Sequence, residues 1–162
     1  MTLKKEIIEI LKQDARLSYK TIAGMTGASE AEVEKAIKEL EDGGVIIKYL
    51  AAINDEKVDN AYAQAMIELK VHPQRDFGYN DIARRVSKFP QVKSVYLVSG
   101  AYDLNVMVEA PTMKDISTFV WEKLAVMDGI SSTVTLFIMR KYKDNGVILT
   151  DIEKEERMVI MP

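Results

Sequence analysis

From Ala61 to Val71 the chain alternates for eleven residues, with Ala63, Ala65, Ile67, Leu69 and Val71 on one side and Tyr62, Gln64, Met66 and Glu68 on the other. A period of two sustained this long suits a strand with one buried face, because a helix would scatter the same residues around its circumference. Whatever follows must cover that apolar face. Residues 79–89 place Ile82, Ala83, Val86 and Phe89 on one helical stripe, stopped by Pro90. Residues 92–99 read as a strand, Gly100-Ala101-Tyr102-Asp103 as a turn, and 104–109 as a strand with Leu104, Val106 and Val108 inward. A helix over 113–127, with Ile116, Phe119, Val120 and Leu124 as its stripe, leads to a last strand over 132–142 with Val134, Leu136 and Ile138 inward. Strand and helix in the order β-α-β-β-α-β predict a ferredoxin-like αβ-sandwich, an antiparallel sheet with both helices on one face.

The opposite face of that sheet is then predicted to carry Tyr62, Met66, Tyr96, Met107, Phe137 and Met139 among polar neighbours. A solvated face should be clearly polar, and this one is mixed. It is therefore expected to pair with the same face of a second copy, the six residues forming a homodimer interface. The competing reading is that residues 143–162, a charged extension ending in Met158-Val159-Ile160-Met161, fold back over it. The same end is also able to add a strand to a neighbour's sheet.

Ahead of this module lie three short amphipathic helices. Leu3, Ile7, Ile10 and Leu11 make the first stripe, Ile22 and Ala23 the second, and Val33, Ile37 and Leu40 the third. Ser18 is placed to cap the second helix, and Ser29 with Glu32 three residues on forms a capping box for the third. Gly27 supplies a tight turn between them, and Gly43-Gly44 precedes an apolar run, Val45-Ile46-Ile47-Lys48-Tyr49-Leu50, read as a strand. Helix, turn, helix, strand is a winged helix-turn-helix, with the third helix as the recognition helix. A plain three-helix bundle has the same stripes. The chain is thus expected to be α+β: residues 1–50 the winged module, 51–60 a hinge strand or linker, 61–142 the sandwich, 143–162 the extension.

Composition narrows the chemistry. With no cysteine and one histidine, thiol catalysis, Cys-ligated metals and a conventional Ser-His-Asp triad are not expected, nor is a cofactor or metal. His72 beside Pro73 reads as a loop residue, and Trp121 beside Phe119-Val120 reads as packing. No apolar run approaches the roughly 20 residues of a bilayer span, and the N-terminus lacks an apolar signal core, so a cytoplasmic protein without membrane partners is expected. The net charge of −3 does not by itself advertise nucleic acid.

The motifs, taken together, resemble those of the Lrp/AsnC (leucine-responsive, feast/famine) family of prokaryotic transcription regulators. The likeness runs through Ile7-Ile8-Glu9-Ile10-Leu11, Asp14-Ala15-Arg16-Leu17-Ser18, Ile22-Ala23 with Gly27-Ala28-Ser29, and Val33, Ile37, Leu40-Glu41, Gly44-Val45-Ile46. It continues in the Tyr49 to Asn54 run, the Gly100-Ala101-Tyr102-Asp103 turn and Thr133-Val134-Thr135. The resemblance implies a regulator that binds double-stranded DNA, is not an enzyme, and responds to a small effector, commonly an amino acid. It implies homodimers that assemble to tetramers or octamers, and an effector near the Gly-x-x-Asp turn. Gly100, Ala101, Tyr102, Asp103, Thr133 and Thr135 are the effector candidates. Physically, glycine admits close approach, Asp103 can pair with an α-ammonium, and threonine hydroxyls can bond a carboxylate. A plain tight turn and two strand-forming threonines account for the same residues.

On the DNA side the candidates are Arg16, Lys20, Ser29, Glu30, Ala31, Glu34, Lys35, Lys38 and Lys48. Here the chain departs from the family pattern. Residues 1–52 hold 8 Lys and Arg against 9 Asp and Glu, and the recognition helix carries Glu30, Glu32, Glu34 and Glu39. Lys35 stands where the family often has arginine. Glu30 and Glu34 can accept from cytosine amino groups or simply favour the helix dipole. Two alternatives follow: an oligomeric ligand sensor with weak or lost DNA binding, and an enzyme like the sirohaem decarboxylases, which share the architecture.

Overall fold

A computed structural model describes residues 2–59, 61–72 and 78–149. The chain divides into two compact units at Ala52/Ile53.

The first unit is helical: α1 (Leu3–Gln13), α2 (Tyr19–Thr26) and α3 (Glu30–Asp42). Their stripes meet in a core of Ile7, Ile22, Ala23, Val33, Ala36, Ile37 and Leu40, with Ile46 packed at its edge. Both expected caps form. Ser18 Oγ accepts from Thr21 N–H at 3.1 Å, and the Ser29–Glu32 box closes in both directions. The turn glycines Gly27 and Gly44 take φ of 74° and 67°. After α3, Gly44 N–H donates to the Glu41 carbonyl and Val45 N–H to the Leu40 carbonyl, each at 2.9 Å, a Schellman ending that turns the chain away from the helix axis. The expected wing strand is not formed. Residues 45–50 take no strand, and Val45, Ile47 and Leu50 lie exposed. A strand needs a hydrogen-bonded neighbour, and an apolar run alone cannot provide one.

The second unit opens with a single 3₁₀ turn, Asp55–Lys57, capped by Asn54. Then come β1 (Ala63–Val71), α4 (Tyr79–Val86), β2 (Val92–Leu97), β3 (Leu104–Ala110), α5 (Met113–Phe119) running into a π-helical turn (Val120–Leu124), and β4 (Ile130–Phe137). The four strands are ordered β2-β3-β1-β4, with every neighbouring pair antiparallel. The core lies between the helices and one sheet face: Ala65, Ile67, Leu69 and Val71 of β1, Leu104, Val106 and Val108 of β3, Ile82 and Val86 of α4, Ile116, Phe119 and Leu124. Phe89 meets Phe119 edge-on at 5.2 Å.

Several expectations are corrected. The first helix of the unit ends at Val86, where the Ser87 hydroxyl bonds the Ala83 carbonyl, three residues before Phe89. The π turn seats both Val120 and Leu124 in the core and leaves Trp121 77% exposed, so Trp121 is not packing. The phase of β4 is inverted. Its register pairs Phe137 with Ala65, Thr135 with Ile67 and Thr133 with Leu69, so these three share the helix-side face. Val134 and Leu136 face the other way. Sequence alternation was ambiguous here because Leu136, Phe137, Ile138 and Met139 are all apolar. The large Phe137 ring reaches the core from an edge strand, where the two threonines are only partly covered. Residues 143–149 add a small hairpin, β5 (Lys143–Asp144) with β6 (Val147–Ile148). The roles expected of Met158–Met161 fall outside the described residues.

Candidate DNA-binding face and effector site

All nine DNA-binding candidates of the first unit are exposed. With successive residues about 100° apart around a helix, the buried Val33, Ala36, Ile37 and Leu40 define one side of α3. Ala31, Lys35 and Lys38 lie at the middle of the opposite side. Asp42 closes the same line at the C-terminal end, the glutamates stand on the two flanks, and three of those are already engaged. Glu32 accepts from the Ser29 hydroxyl at 2.7 Å and the Ser29 N–H at 2.8 Å. Those bonds, the hydroxyl's first, hold its carboxyl below the usual range. Glu39 meets Lys4 of α1 at 2.7 Å, and that ammonium lowers its carboxyl in the same sense. Glu41 accepts from the Tyr49 hydroxyl at 2.9 Å. Burial first, then that bond, pushes the Tyr49 phenol up to about 12. Glu30 and Glu34, on the flank shared with Glu41, make no such contact among the described residues. An acidic helix therefore presents two lysines mid-face, with the small Ala31 one turn ahead of Lys35 beside a capped N-terminus whose free N–H groups suit phosphate. Lys48 lies in the strandless 45–50 segment.

The second cluster is at the end of the sheet where β2 turns into β3. Asp103 N–H donates to the Leu69 carbonyl at 3.0 Å, fixing the turn to β1. Its carboxylate accepts from Val71 N–H at 2.8 Å and from Lys70 Nζ at 3.3 Å, at the point where the β1–β4 register shifts. The Val71 bond is the main reason its carboxyl is held below the ordinary aspartate range. The carboxylate thus ties the turn to β1, and Lys70 beside it is 44% exposed. Thr133 pairs with Leu69 from the other side, and Thr135 lies one pair further in. Asp103 and Thr133 thus flank one residue of β1, about 10 Å apart across two strand spacings. Gly100 and Ala101 are exposed and Tyr102 is half-buried. A side chain at Gly100 would meet nothing of this chain within 4 Å, leaving open space beside the turn.

On the sheet face away from the helices, Met66, Met107 and Tyr96 stand where expected, with Tyr62 exposed just ahead of β1. Phe137 does not; it packs on the core, and Met139 lies 82% exposed beyond β4. Val134 and Leu136 take their places, so a row of Met107, Met66 and Leu136 crosses three strands.

Two sequence profiles match the chain: winged helix-turn-helix DNA-binding over residues 2–47, and the Lrp/AsnC ligand binding domain over residues 64–148. An uncharacterized HTH-type transcriptional regulator of Bacillus subtilis, YugG, is 42% identical over 97% of this chain and 95% of its own. The Pyrococcus furiosus HTH-type transcriptional regulator FL11 is 28% identical over 88% and 91%.

The chain belongs to the Lrp/AsnC family.

Solved members share its fold. The Neisseria meningitidis transcriptional regulator NMB0573, crystallised as an L-Met complex, superposes with a TM-score of 0.72 at 24% identity, over 89% of this chain and 92% of that one. As an Lrp/AsnC protein it is a transcriptional regulator with a DNA-binding module and a ligand-binding domain. No helix among the described residues is long and apolar enough to cross a membrane. Sequence reasoning found the exposed lysines but not Lys4 and Tyr49, which draw two acids aside. Lys4 carries no local signal, since it acts on Glu39 in another helix, and Tyr49 reaches back eight positions across the Gly43-Gly44 turn. Lys70 was missed because its alternation phase marks it only as outward.

Proposed function

We propose that this Lrp/AsnC regulator binds double-stranded DNA as a homodimer, places α3 in the major groove, and changes its assembly or DNA affinity when an amino acid binds. The observation that carries this is the sorting of charge on α3. Lys35 and Lys38 hold the centre of the exposed side, with Asp42 only at its C-terminal end, while Glu32, Glu39 and Glu41 are bonded within the unit. Lys35 and Lys38 face the base edges with Ala31 one turn ahead of them, and Ser29, Glu30 and Glu34 line the entry. Arg16, Lys20 and Lys48 contact phosphates, each contributing about 0.9 to the salt slope. The amino acid sits by the 100–103 turn. Gly100, Ala101 and Tyr102 form its wall, Lys70 meets its carboxylate from the outward face, and Asp103 holds that end of the sheet in place; Thr133 and Thr135, expected to supply hydroxyls, lie on the helix-side face instead. The L-Met bound to the Neisseria protein supports this ligand class.

Dimers form through the sheet face away from the helices. Tyr62, Met66, Tyr96 and Met107 take part with Val134 and Leu136, and such dimers assemble to tetramers or octamers, offsetting few phosphate contacts per chain. The protein works in the cytoplasm as a regulator and not as an enzyme. A second reading, an oligomeric sensor that has lost DNA binding, is favoured by Glu30 and Glu34, which face solvent without a partner among the described residues. Pull-down of sheared genomic DNA at low salt, with and without mixed amino acids, separates the two. Enriched fragments that change with amino acids are expected. Ligand binding with no fragment retained would establish the second reading.

A further inference from the structure

Local forces account for most of the acids on α3. Glu30 and Glu32 stand in its first turn, where the positive end of the helix dipole favours negative charge. Glu32 also closes the capping box, and Glu39 and Glu41 are held by Lys4 and Tyr49. Asp42 stands at the last position of the helix, away from the N-terminal residues that reach base edges. Glu34 has none of these reasons. It is the fifth residue of the helix, past the turn over which the dipole acts. It follows Glu30 by four positions, a spacing at which like charges repel. Lys38, four positions further on, is the partner that a helix ordinarily gives such a glutamate. No ion pair or hydrogen bond joins the two among the described residues, and both are exposed.

An acceptor and a donor therefore stand side by side on the outer part of α3, their Cβ atoms about 5–6 Å apart, each without a partner in the free protein. In the major groove a carboxylate is repelled by phosphates and by the acceptors of the bases: guanine O6 and N7, adenine N7 and thymine O4. It gains only from an exocyclic amino group. Adenine N6 lies between two acceptors, its own N7 and the O4 of the paired thymine. Cytosine N4 has a single such neighbour, guanine O6 across the pair. A C·G pair thus presents a donor beside acceptors, and Glu34 beside Lys38 presents the reverse.

We infer that Glu34 and Lys38 read one C·G pair of the half-site, the Glu34 carboxylate accepting from cytosine N4 and the Lys38 ammonium donating to O6 and N7 of its guanine. This rests on the placement of α3 in the major groove proposed above. The unpartnered acid that speaks against DNA binding is then the group that selects sequence. It rejects sites that lack the amino group while weakening general affinity, so discrimination comes from repulsion as well as attraction.

The test uses the full chain to select sites from a random duplex library, then measures affinity on the selected site changed one base pair at a time. One position of the half-site is expected to require C·G, with about tenfold or more lost for each other pair. Glu34→Ala should bring the four pairs at that position within about threefold of one another and leave the rest of the site unchanged. Glu34→Gln should move the preference there to A·T, because an amide pairs with adenine N6 and N7. Lys38→Ala should relax the same position. A Glu34→Ala variant that keeps the wild-type sequence preference and merely binds every site more tightly overturns the inference, and so does a selected site with no position that requires C·G. Failure of the DNA reading has its own signature: wild type enriches no sequence from the library at low salt.

Discussion

In the helical unit, the partnered acids of α3 find their partners inside that unit: Glu32 at Ser29, Glu39 at Lys4, Glu41 at Tyr49. In the sheet unit the acids reach across long stretches of chain: Asp55 to Lys141, Glu56 to Arg140, Asp103 to the end of β1. The first pattern clears a face and leaves its lysines available to a polyanion. The second locks segments together, at the linker and at the β2–β3 turn. The cores differ in the same way. Seven buried apolar residues hold three helices close in sequence, while fifteen hold a sheet whose neighbours lie up to 72 positions apart, as with Ala65 and Phe137. One unit is arranged to present charge, and the other to transmit position.

The sharpest way to break this comparison is to damage one unit and look at the other. Phe119→Ala removes the ring that meets Phe89 edge-on in the sheet core. It is expected to cost about 3–5 kcal/mol and to lower a sheet-unit transition in calorimetry while leaving a helical-unit transition in place. A single transition moving as a whole would show that the two do not fold independently. Next in size, Lys35→Glu with Lys38→Glu reverses the cleared centre of α3. DNA affinity at moderate salt should fall on the order of a hundredfold, with a shallower salt slope and no change in assembly mass. An equal loss from reversing exposed lysines of the sheet unit would place the DNA contacts elsewhere.

The smallest effect sharpens the locking role of Asp103. Its carboxyl is held low in the fold, chiefly by the Val71 N–H. The stabilisation it adds is therefore present above the unfolded value, about 3.9, and is lost as pH falls through the lower folded value. Asp103→Asn should melt below wild type at pH 7, and the gap should close in acid. A gap independent of pH would mean that the ionised carboxylate is not what holds β1.

Much of the fold was legible before any coordinates. The alternation at 63–71 and the stripes of α1, α3 and α5 each carry their own period, and the boxes at Ser18 and Ser29 are signals within four residues. Glu30, Ala31, Glu34, Lys35 and Lys38 were legible as exposed positions of an amphipathic helix. What could not be read were outcomes that depend on a distant neighbour. Residues 45–50 have strand composition, but no strand forms there. Asp103 was legible as a turn acid, but the β1 N–H that occupies it comes from 32 positions earlier.

Sequence by itself determined the two-unit order, the elements with a strong local period, and the residues a recognition helix has to offer, because caps, periods and turns are interactions among near neighbours. The tertiary structure alone decided which face of β4 turns inward, which acids of α3 are withdrawn, and where the linker is held. Each of those depends on cross-chain pairing, where a shift of one residue reverses a face and a single lysine neutralises an acid 35 positions away.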